Sequence, residues 1–197
     1  MNFNLIVAIC RERGIGYKGT IPWHIKDDLK YFSKLTKGSG GENALIMGST
    51  TWNSLPNKYL PGRNNLILSS TIKIHKIMKD GYIIKSFDTI DAIIKFCILM
   101  GYDNIWVIGG ATIYKQFLDK DIISKCYITK IDKFYDCDTF FPELNCHIEK
   151  WKLYNKITLK TDDNIDLEFH EYHIIQDGLG ANQIASMYWD MNSDDKN

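Results

Sequence analysis

Short apolar runs alternate along most of the chain with stretches in which apolar residues recur every three or four positions. The runs predict strands at residues 5–10, 44–47, 65–69, 82–84 and 105–108. The stretches between them predict helices at residues 25–36, 49–55, 89–100 and 111–118. Strands that alternate with helices in this way form a mainly parallel sheet with helices packed on its faces.

The pattern changes after Lys125, where apolar runs predict strands with no obvious helix to connect them. These strands cover residues 126–131, 151–161 and 167–174, and they favour an antiparallel edge on the same sheet. The predicted fold is therefore a three-layer α/β domain, with a mainly parallel central sheet, flanking helices and an antiparallel C-terminal edge. We expect this domain to take up residues 1–175 and residues 176–197 to form a flexible polar tail.

The charge balance and the cysteine count narrow the possible functions. The chain has 197 residues, and its 24 Lys and Arg balance its 24 Asp and Glu, so the formal net charge is zero. This balance argues against a protein whose main task is to coat nucleic acid or an anionic membrane. The apolar run at residues 5–10 is too short to span a bilayer. Five scattered cysteines without a C-x-x-C pair indicate unpaired thiols in a reducing cytoplasm.

A glycine-rich segment follows the first predicted strand. Residues 14–19 match the pattern G-x-G-x-x-G, which in a dinucleotide-binding βαβ unit opens a helix. Pro22 restricts Ile21 to an extended conformation, so a helix cannot begin at these glycines. We therefore interpret the segment as a loop that lies over a pocket, with conformational freedom at its glycines.

Two adjacent carboxylates begin the first predicted helix, and the helical period separates them. Asp28 lies on the apolar stripe of Ile25, Leu29, Phe32 and Leu35, whereas Asp27 lies on the polar side. A carboxylate on an inward stripe requires hydrogen-bond partners or a cationic ligand. The alternative is a helix N-terminal charge that the macrodipole stabilises.

Two further segments carry candidate ligand-binding residues. The strand at residues 105–108 ends in Gly109 and Gly110 before a helix, which lets backbone N–H groups approach a phosphate, although glycine pairs also form plain turns. The turn at Pro61 and Gly62 presents Arg63 just before a strand. In most proteins such an arginine is an exposed surface residue.

Taken in order, these segments resemble dihydrofolate reductase over residues 3–175. The matching residues are Leu5 to Ile9, Ile15-Gly16, Ile21-Pro22-Trp23, Asp28-Leu29 with Phe32, Ile46-Met47-Gly48 with Thr51-Trp52, Leu60-Pro61-Gly62-Arg63 with Asn65, Ile108-Gly109-Gly110 with Tyr114, Tyr127-Ile128-Thr129 with Asp132, and Asp138-Thr139 with Phe141-Pro142. The resemblance implies NADPH-dependent reduction of 7,8-dihydrofolate to tetrahydrofolate, which supplies one-carbon and thymidylate metabolism.

The resemblance also implies roles on the substrate side. Asp28 would accept hydrogen bonds from the pterin amino group and ring nitrogen, Thr129 would hydrogen-bond this carboxylate, and Trp23 would reach it through water. Arg63 would bind the α-carboxylate of folate, and Tyr114 would lie beside the nicotinamide. An apolar slot for the pterin and benzoyl rings would consist of Val7, Leu29, Phe32 and Leu55.

On the cofactor side, the resemblance implies a set of residues that surround NADPH. They are Ala8, Ile15, Gly16, Gly48, Thr51, Ser70, Gly109, Gly110 and Thr112. In the family, the two glycines 109 and 110 are joined by a cis peptide bond, and a basic residue commonly follows the Met-Gly pair to hold the 2′-phosphate. This chain has Ser49 and Thr50 there, which leaves Ser70 and Lys85 as substitutes.

Two other functions fit parts of the same pattern. A pyrimidine reductase of riboflavin synthesis shares the architecture and NADPH, but Asp28 and Arg63 favour folate over a ribityl phosphate. A non-catalytic folate- or NADPH-binding protein could keep the pocket without the chemistry. His170 and His173 are three apart on a predicted strand, so they form a poor metal pair and we predict no metal site. We expect a cytoplasmic monomer.

Overall fold

The computed structural model describes residues 2–38, 42–143 and 150–175. In chain order its strands and helices are β1 (Asn2–Ile9), a 3₁₀ turn (Arg11–Arg13), β2 (Gly14–Gly16), α1 (Lys26–Lys37), β3 (Asn43–Gly48), α2 (Ser49–Ser54), β4 (Asn64–Leu68), β5 (His75–Ile77), β6 (Ile83–Phe87), α3 (Ile90–Met100), β7 (Asn104–Gly109), α4 (Ala111–Asp119), β8 (Ile123–Ile131), β9 (Thr139–Phe140), β10 (Trp151–Lys160) and β11 (Asp166–Ile174). The predicted tail, residues 176–197, lies outside the described residues.

The strands of the described residues form a nine-stranded sheet in the order β10-β11-β8-β1-β7-β3-β4-β6-β5. The strands from β8 to β6 are parallel, while β10 and β11 form an antiparallel edge and β5 pairs antiparallel with β6. This topology confirms the predicted α/β class with its mainly parallel sheet and antiparallel C-terminal edge.

Side-chain alternation along β1 divides the core between the two faces of the sheet. Phe3, Leu5 and Val7 pack with buried residues of α3 and α4. Ile6 belongs to the opposite core, against which Phe32 of α1 packs. The helices therefore cover both faces, and the molecule has the three layers that the sequence predicts.

Three features differ from the prediction. Strand β8 begins at Ile123, and α4 provides the crossover that lets it run parallel to β1. Within the described ranges, the antiparallel C-terminal edge therefore consists of β10 and β11. The short strands β2 and β9, which pair with each other, and β5 were not predicted.

Several connections that follow strands lie at one end of the sheet. Helix α2 follows β3 directly, Gly110 alone separates β7 from α4, and the glycine-rich segment follows β1. In open α/β sheets, ligands bind outside the carboxyl ends of the parallel strands. The first candidate region for a site is therefore this end.

Candidate active site

Asp28 lies in the first turn of α1 and contacts the neighbouring strand β8. The buried Thr129 of β8 donates a side-chain hydrogen bond to its carboxylate. Burial raises the pKa of Asp28 above its usual value, and the Thr129 hydrogen bond offsets part of this rise. Asp27 instead forms an ion pair with Lys30 at 3.2 Å. The predicted separation of the two carboxylates is confirmed.

We expect Asp28→Asn to increase the stability of the ligand-free protein at neutral pH. The folded-state pKa of Asp28 is raised, so the folded protein favours the protonated carboxyl. The stability that this protonated form contributes is complete below about pH 4 and is lost as the pH rises through the raised pKa. At neutral pH the ionised side chain therefore opposes folding. Urea unfolding should give a higher midpoint for the variant at neutral pH, with a difference that narrows toward about pH 4. A lower midpoint at neutral pH would contradict this interpretation.

The apolar slot is only partly built as the sequence predicts. Phe32 and Leu55 are partly buried against the second core, and Val7 lines a large cavity. Leu29, which was predicted on the inward apolar stripe, is 45% exposed. The inward side of α1 instead includes Tyr31, whose ring lies 4.3 Å from that of Phe169. Phe32 and Leu35 of the predicted stripe still pack against the core, whereas Leu29 does not.

Arg63 is buried, so the alternative of an exposed surface arginine does not hold, and its role in substrate binding stays a prediction. It is 2% exposed, and its Nη1 donates to Thr36 Oγ1 at 2.5 Å while Nε donates to the carbonyl of Pro61 at 3.2 Å. Its guanidinium also lies 5.9 Å from the centroid of the Phe32 ring. Burial lowers the pKa of Arg63 to about 10. Among the described residues, no carboxylate forms an ion pair with Arg63, so its buried charge is not neutralised there.

A cavity of about 910 Å³ opens at the carboxyl ends of the parallel strands. The predicted cofactor residues that line it are Ala8, Ile15, Gly16, Gly48, Thr51, Ser70, Gly110 and Thr112. Tyr114 also lines it, whereas Gly109 does not. The same cavity is also lined by Ser69, Thr71, Asp88 and Thr89, which no sequence motif marks.

Two glycines beside this cavity, Gly48 and Gly109, leave little room for a side chain. A Cβ at Gly48 would stand 2.9 Å from Ile113 Cγ1, and a Cβ at Gly109 would stand 3.0 Å from the Tyr114 ring. Gly109 also has a φ of 111°, a conformation that L side chains rarely adopt. The Gly109–Gly110 peptide bond is cis, as the resemblance implied.

Tyr114 connects α4 to the central strand. Its hydroxyl donates to the carbonyl of Ile6 at 2.8 Å, and its ring packs edge-on against Phe141. Burial raises the pKa of Tyr114, and the nearby charge of Asp28 raises it further. The phenol is therefore neutral throughout the physiological range.

We expect Tyr114→Phe to lower the free energy of unfolding by about 1–3 kcal/mol, because the buried carbonyl of Ile6 loses its donor. Chemical denaturation measures this change. Tyr154→Phe is the matched control, since the Tyr154 side chain is exposed and the same atom is removed. Equal losses in the two variants would show that the Ile6 hydrogen bond does not stabilise the fold.

The glycine-rich segment is held beside the cavity by a distant part of the chain. Strand β2 pairs with β9, and the backbone N–H of Lys18 donates to Asp138 at 2.8 Å. No helix begins at these glycines, as the argument from Pro22 predicted. Trp23 packs against Tyr135 with ring centroids 5.2 Å apart, and its water-mediated link to Asp28 stays a prediction.

The cavity fits a nicotinamide dinucleotide in volume and in chemistry. Its volume is within the range of about 300–1,000 Å³ that is typical of small-molecule sites. Helix α4 begins at the cavity, and its N-cap Gly110 has no side chain to satisfy the first N–H groups. Such N–H groups bind phosphate. The residues present are therefore compatible with the implied cofactor.

Within residues 2–38, 42–143 and 150–175, no group of three His, Cys, Asp or Glu side chains could hold a metal ion. The helices in these same ranges are too short or too polar to traverse a lipid bilayer.

Comparison with known proteins assigns the family. The sequence profile described as dihydrofolate reductase matches residues 2–174. A dihydrofolate reductase of Drosophila melanogaster is 38% identical over 149 residues, which cover 73% of this chain and 81% of the fly protein. The enzyme of Aedes albopictus is 32% identical over 88% of this chain and 92% of its own length, and that of Gallus gallus is 34% identical over 87% and 95%. This chain therefore belongs to the dihydrofolate reductase family.

Proposed function

We propose that this protein reduces 7,8-dihydrofolate to tetrahydrofolate with NADPH. The observation that carries this proposal is the position of Asp28, a carboxylate that is largely removed from water and hydrogen-bonded by Thr129. Its surroundings disfavour its charge, so a ligand that donates hydrogen bonds to the carboxylate relieves that cost. The family membership of the chain supports the same reaction.

Asp28 binds and polarises the pterin in this account. Its carboxylate accepts hydrogen bonds from the amino group and an adjacent ring nitrogen, and charge-assisted bonds of this kind are each worth about 1.5–3 kcal/mol. The negative charge also favours a proton on the ring nitrogen next to the carbon that is reduced, which makes that carbon a better hydride acceptor. The proton itself comes from water, so Asp28 orients and polarises rather than donates. Thr129 positions the carboxylate, and Trp23 holds the water.

The remaining substrate residues bind the rest of the folate. Arg63 presents a planar guanidinium to the α-carboxylate, and its lack of an ion pair within the described residues supports this role. Val7, Leu29, Phe32 and Leu55 contact the flat rings. The exposure of Leu29 supports its role in contacting a ligand rather than in packing the core.

The cofactor supplies a hydride when it is bound. The backbones of Ala8 and Ile15 would hold the carboxamide, Tyr114 would face the nicotinamide, and Thr51 and Thr112 would hold the phosphates together with the N–H groups at Gly109 and Gly110. Gly16 and its neighbours would cover the reacting groups, which would exclude water and hold them in contact. Gly48 and Ser70 complete the wall of the cavity.

A single absorbance assay tests this function. We expect the purified protein to consume NADPH when dihydrofolate is added and to form tetrahydrofolate in equal amount. An aminopyrimidine with a ribityl phosphate serves as the alternative substrate, because a pyrimidine reductase would act on it instead. Dinucleotide and folate binding without turnover would identify a non-catalytic binding protein.

We also propose that the protein acts in the cytoplasm as a monomer and binds neither nucleic acid nor membranes. The zero net charge supports the proposal that the protein binds neither nucleic acid nor membranes. The unpaired Cys97 and Cys126 fit a reducing compartment. Analytical ultracentrifugation tests the oligomeric state directly.

A further inference from the structure

One end of the large cavity has an unusual polar lining. It is formed by Ser69, Ser70 and Thr71 after β4, by Asp88 and Thr89 before α3, and by Ser49 and Thr50 at the start of α2. Of all the described residues that line the cavity, Asp88 is the one with a charged side chain. The wall therefore offers many neutral hydroxyl groups and a carboxylate, but no lysine or arginine in the described part of the chain.

The nearest cations are already engaged. Lys73 forms an ion pair with Asp88, which neutralises much of its charge. The Lys85 ammonium lies 4.4 Å from the centroid of the Phe96 ring and 5.3 Å from that of Phe87, and Lys85 is not among the cavity residues. The sequence analysis considered Lys85 as a substitute for a phosphate-binding cation, and its position does not support that role.

The hydroxyl groups are also partly used within the protein. Ser69 Oγ accepts hydrogen bonds from the backbone N–H of Thr71 at 3.3 Å and of Ile72 at 3.1 Å. This arrangement stabilises the turn after β4 and leaves Ser69 less free to bind a ligand. Ser70 is exposed and lines the cavity, so it is the more available donor.

NADPH and NADH differ in a single phosphate group on the adenosine ribose. Such a phosphate monoester carries a charge of about −1.5 to −2 at neutral pH. Arginine and lysine bind phosphates through charge-assisted hydrogen bonds, which are about twice as strong as neutral ones. A wall of hydroxyls therefore contributes little selectivity for the added charge, and Asp88 holds the nearby Lys73 ammonium in an ion pair, which keeps that cation from the phosphate.

We propose that this site discriminates weakly between NADPH and NADH, because Asp88 is the one charged side chain among the described residues that line the cofactor cavity. This inference rests on the proposed function. The expected ratio of the two dissociation constants is about tenfold or less, since neutral hydrogen bonds are the main contacts available to the extra phosphate.

Equilibrium binding tests the inference without turnover. Quenching of tryptophan fluorescence is measured while the ligand-free protein is titrated with NADPH and, separately, with NADH at one ionic strength. A preference for NADPH of about tenfold or less supports the inference, and a larger preference overturns it. If neither dinucleotide binds, the proposed function fails, which is a distinguishable result.

Two variants locate the cause of the weak discrimination. Asp88→Asn should tighten NADPH binding several-fold and change NADH binding little, because it releases the Lys73 ammonium from its ion pair beside the cavity. Ser49→Arg should raise the preference for NADPH by adding a cation to the cavity wall. The matched control is Asp103→Asn, which removes an exposed carboxylate beside the opposite, amino end of β7. If Asp103→Asn and Asp88→Asn change NADPH binding equally, Asp88 has no local role and the inference is overturned.

Discussion

Asp28→Asn lowers the turnover of dihydrofolate at neutral pH by about 10²–10⁴-fold, the range that is typical when a polarising acid or base group is removed. The amide keeps the shape of the side chain but lacks the charge that favours protonation of the pterin. NADPH affinity should stay nearly unchanged, because Asp28 is not among the residues that line the cofactor cavity. Steady-state rates and dinucleotide titrations of the same preparation measure both quantities.

Asp27→Asn is the matched control for this experiment. Asp27 is the preceding residue on the same helix turn, and it forms a surface ion pair with Lys30. Its loss should change turnover very little, since exposed pairs contribute weakly. Equal turnover in Asp28→Asn and the unmodified protein would reject the role of Asp28. Asp28→Asn is expected to be more stable than the unmodified protein, so its loss of activity cannot be attributed to unfolding.

Arg63→Ala raises the KM for dihydrofolate by about 10–100-fold, as expected for the loss of a charge-assisted contact to the α-carboxylate. The effect on kcat should be smaller, because Arg63 binds a part of the substrate that does not react. Initial rates over a range of dihydrofolate concentrations separate the two parameters.

A truncated substrate provides the control for Arg63. A dihydropterin without the glutamyl group has no α-carboxylate, so the unmodified protein and Arg63→Ala should reduce it with similar kcat/KM. Arg63 also contacts Thr36 and Phe32, and a general structural defect would impair both substrates alike. An unchanged KM for dihydrofolate would contradict the assignment.

The sequence predicts the fold well where a local pattern decides the structure. The spacing of apolar residues predicts α3 within one residue at each end, because its buried side chains recur at helical intervals. The strands β2 and β9 were missed because each has only two or three residues and their pairing joins segments far apart in the chain. The parallel direction of β8 depends on the crossover through α4, which the apolar run at residues 126–131 does not reveal.

Single residues of the candidate site could likewise be predicted only where a local sequence pattern determines their position. Asp28 could be singled out because the helical period places it on the inward stripe of α1. The burial of Arg63 could not be predicted from a local pattern, because it depends on Thr36 and Phe32, which belong to a helix far earlier in the chain. Asp88 gives no signal of its own, since its place in the cavity wall arises only when β4 and β6 pair.

The most direct test of the central role of Asp28 is a crystal structure of the protein with folate and NADP⁺ bound. We predict that both carboxylate oxygens of Asp28 lie within hydrogen-bond distance, about 2.7–3.2 Å, of the pterin amino group and ring nitrogen. The nicotinamide should occupy the cavity beside Ile15 and Tyr114. A pterin bound away from Asp28, with that carboxylate facing solvent, would contradict the proposed mechanism.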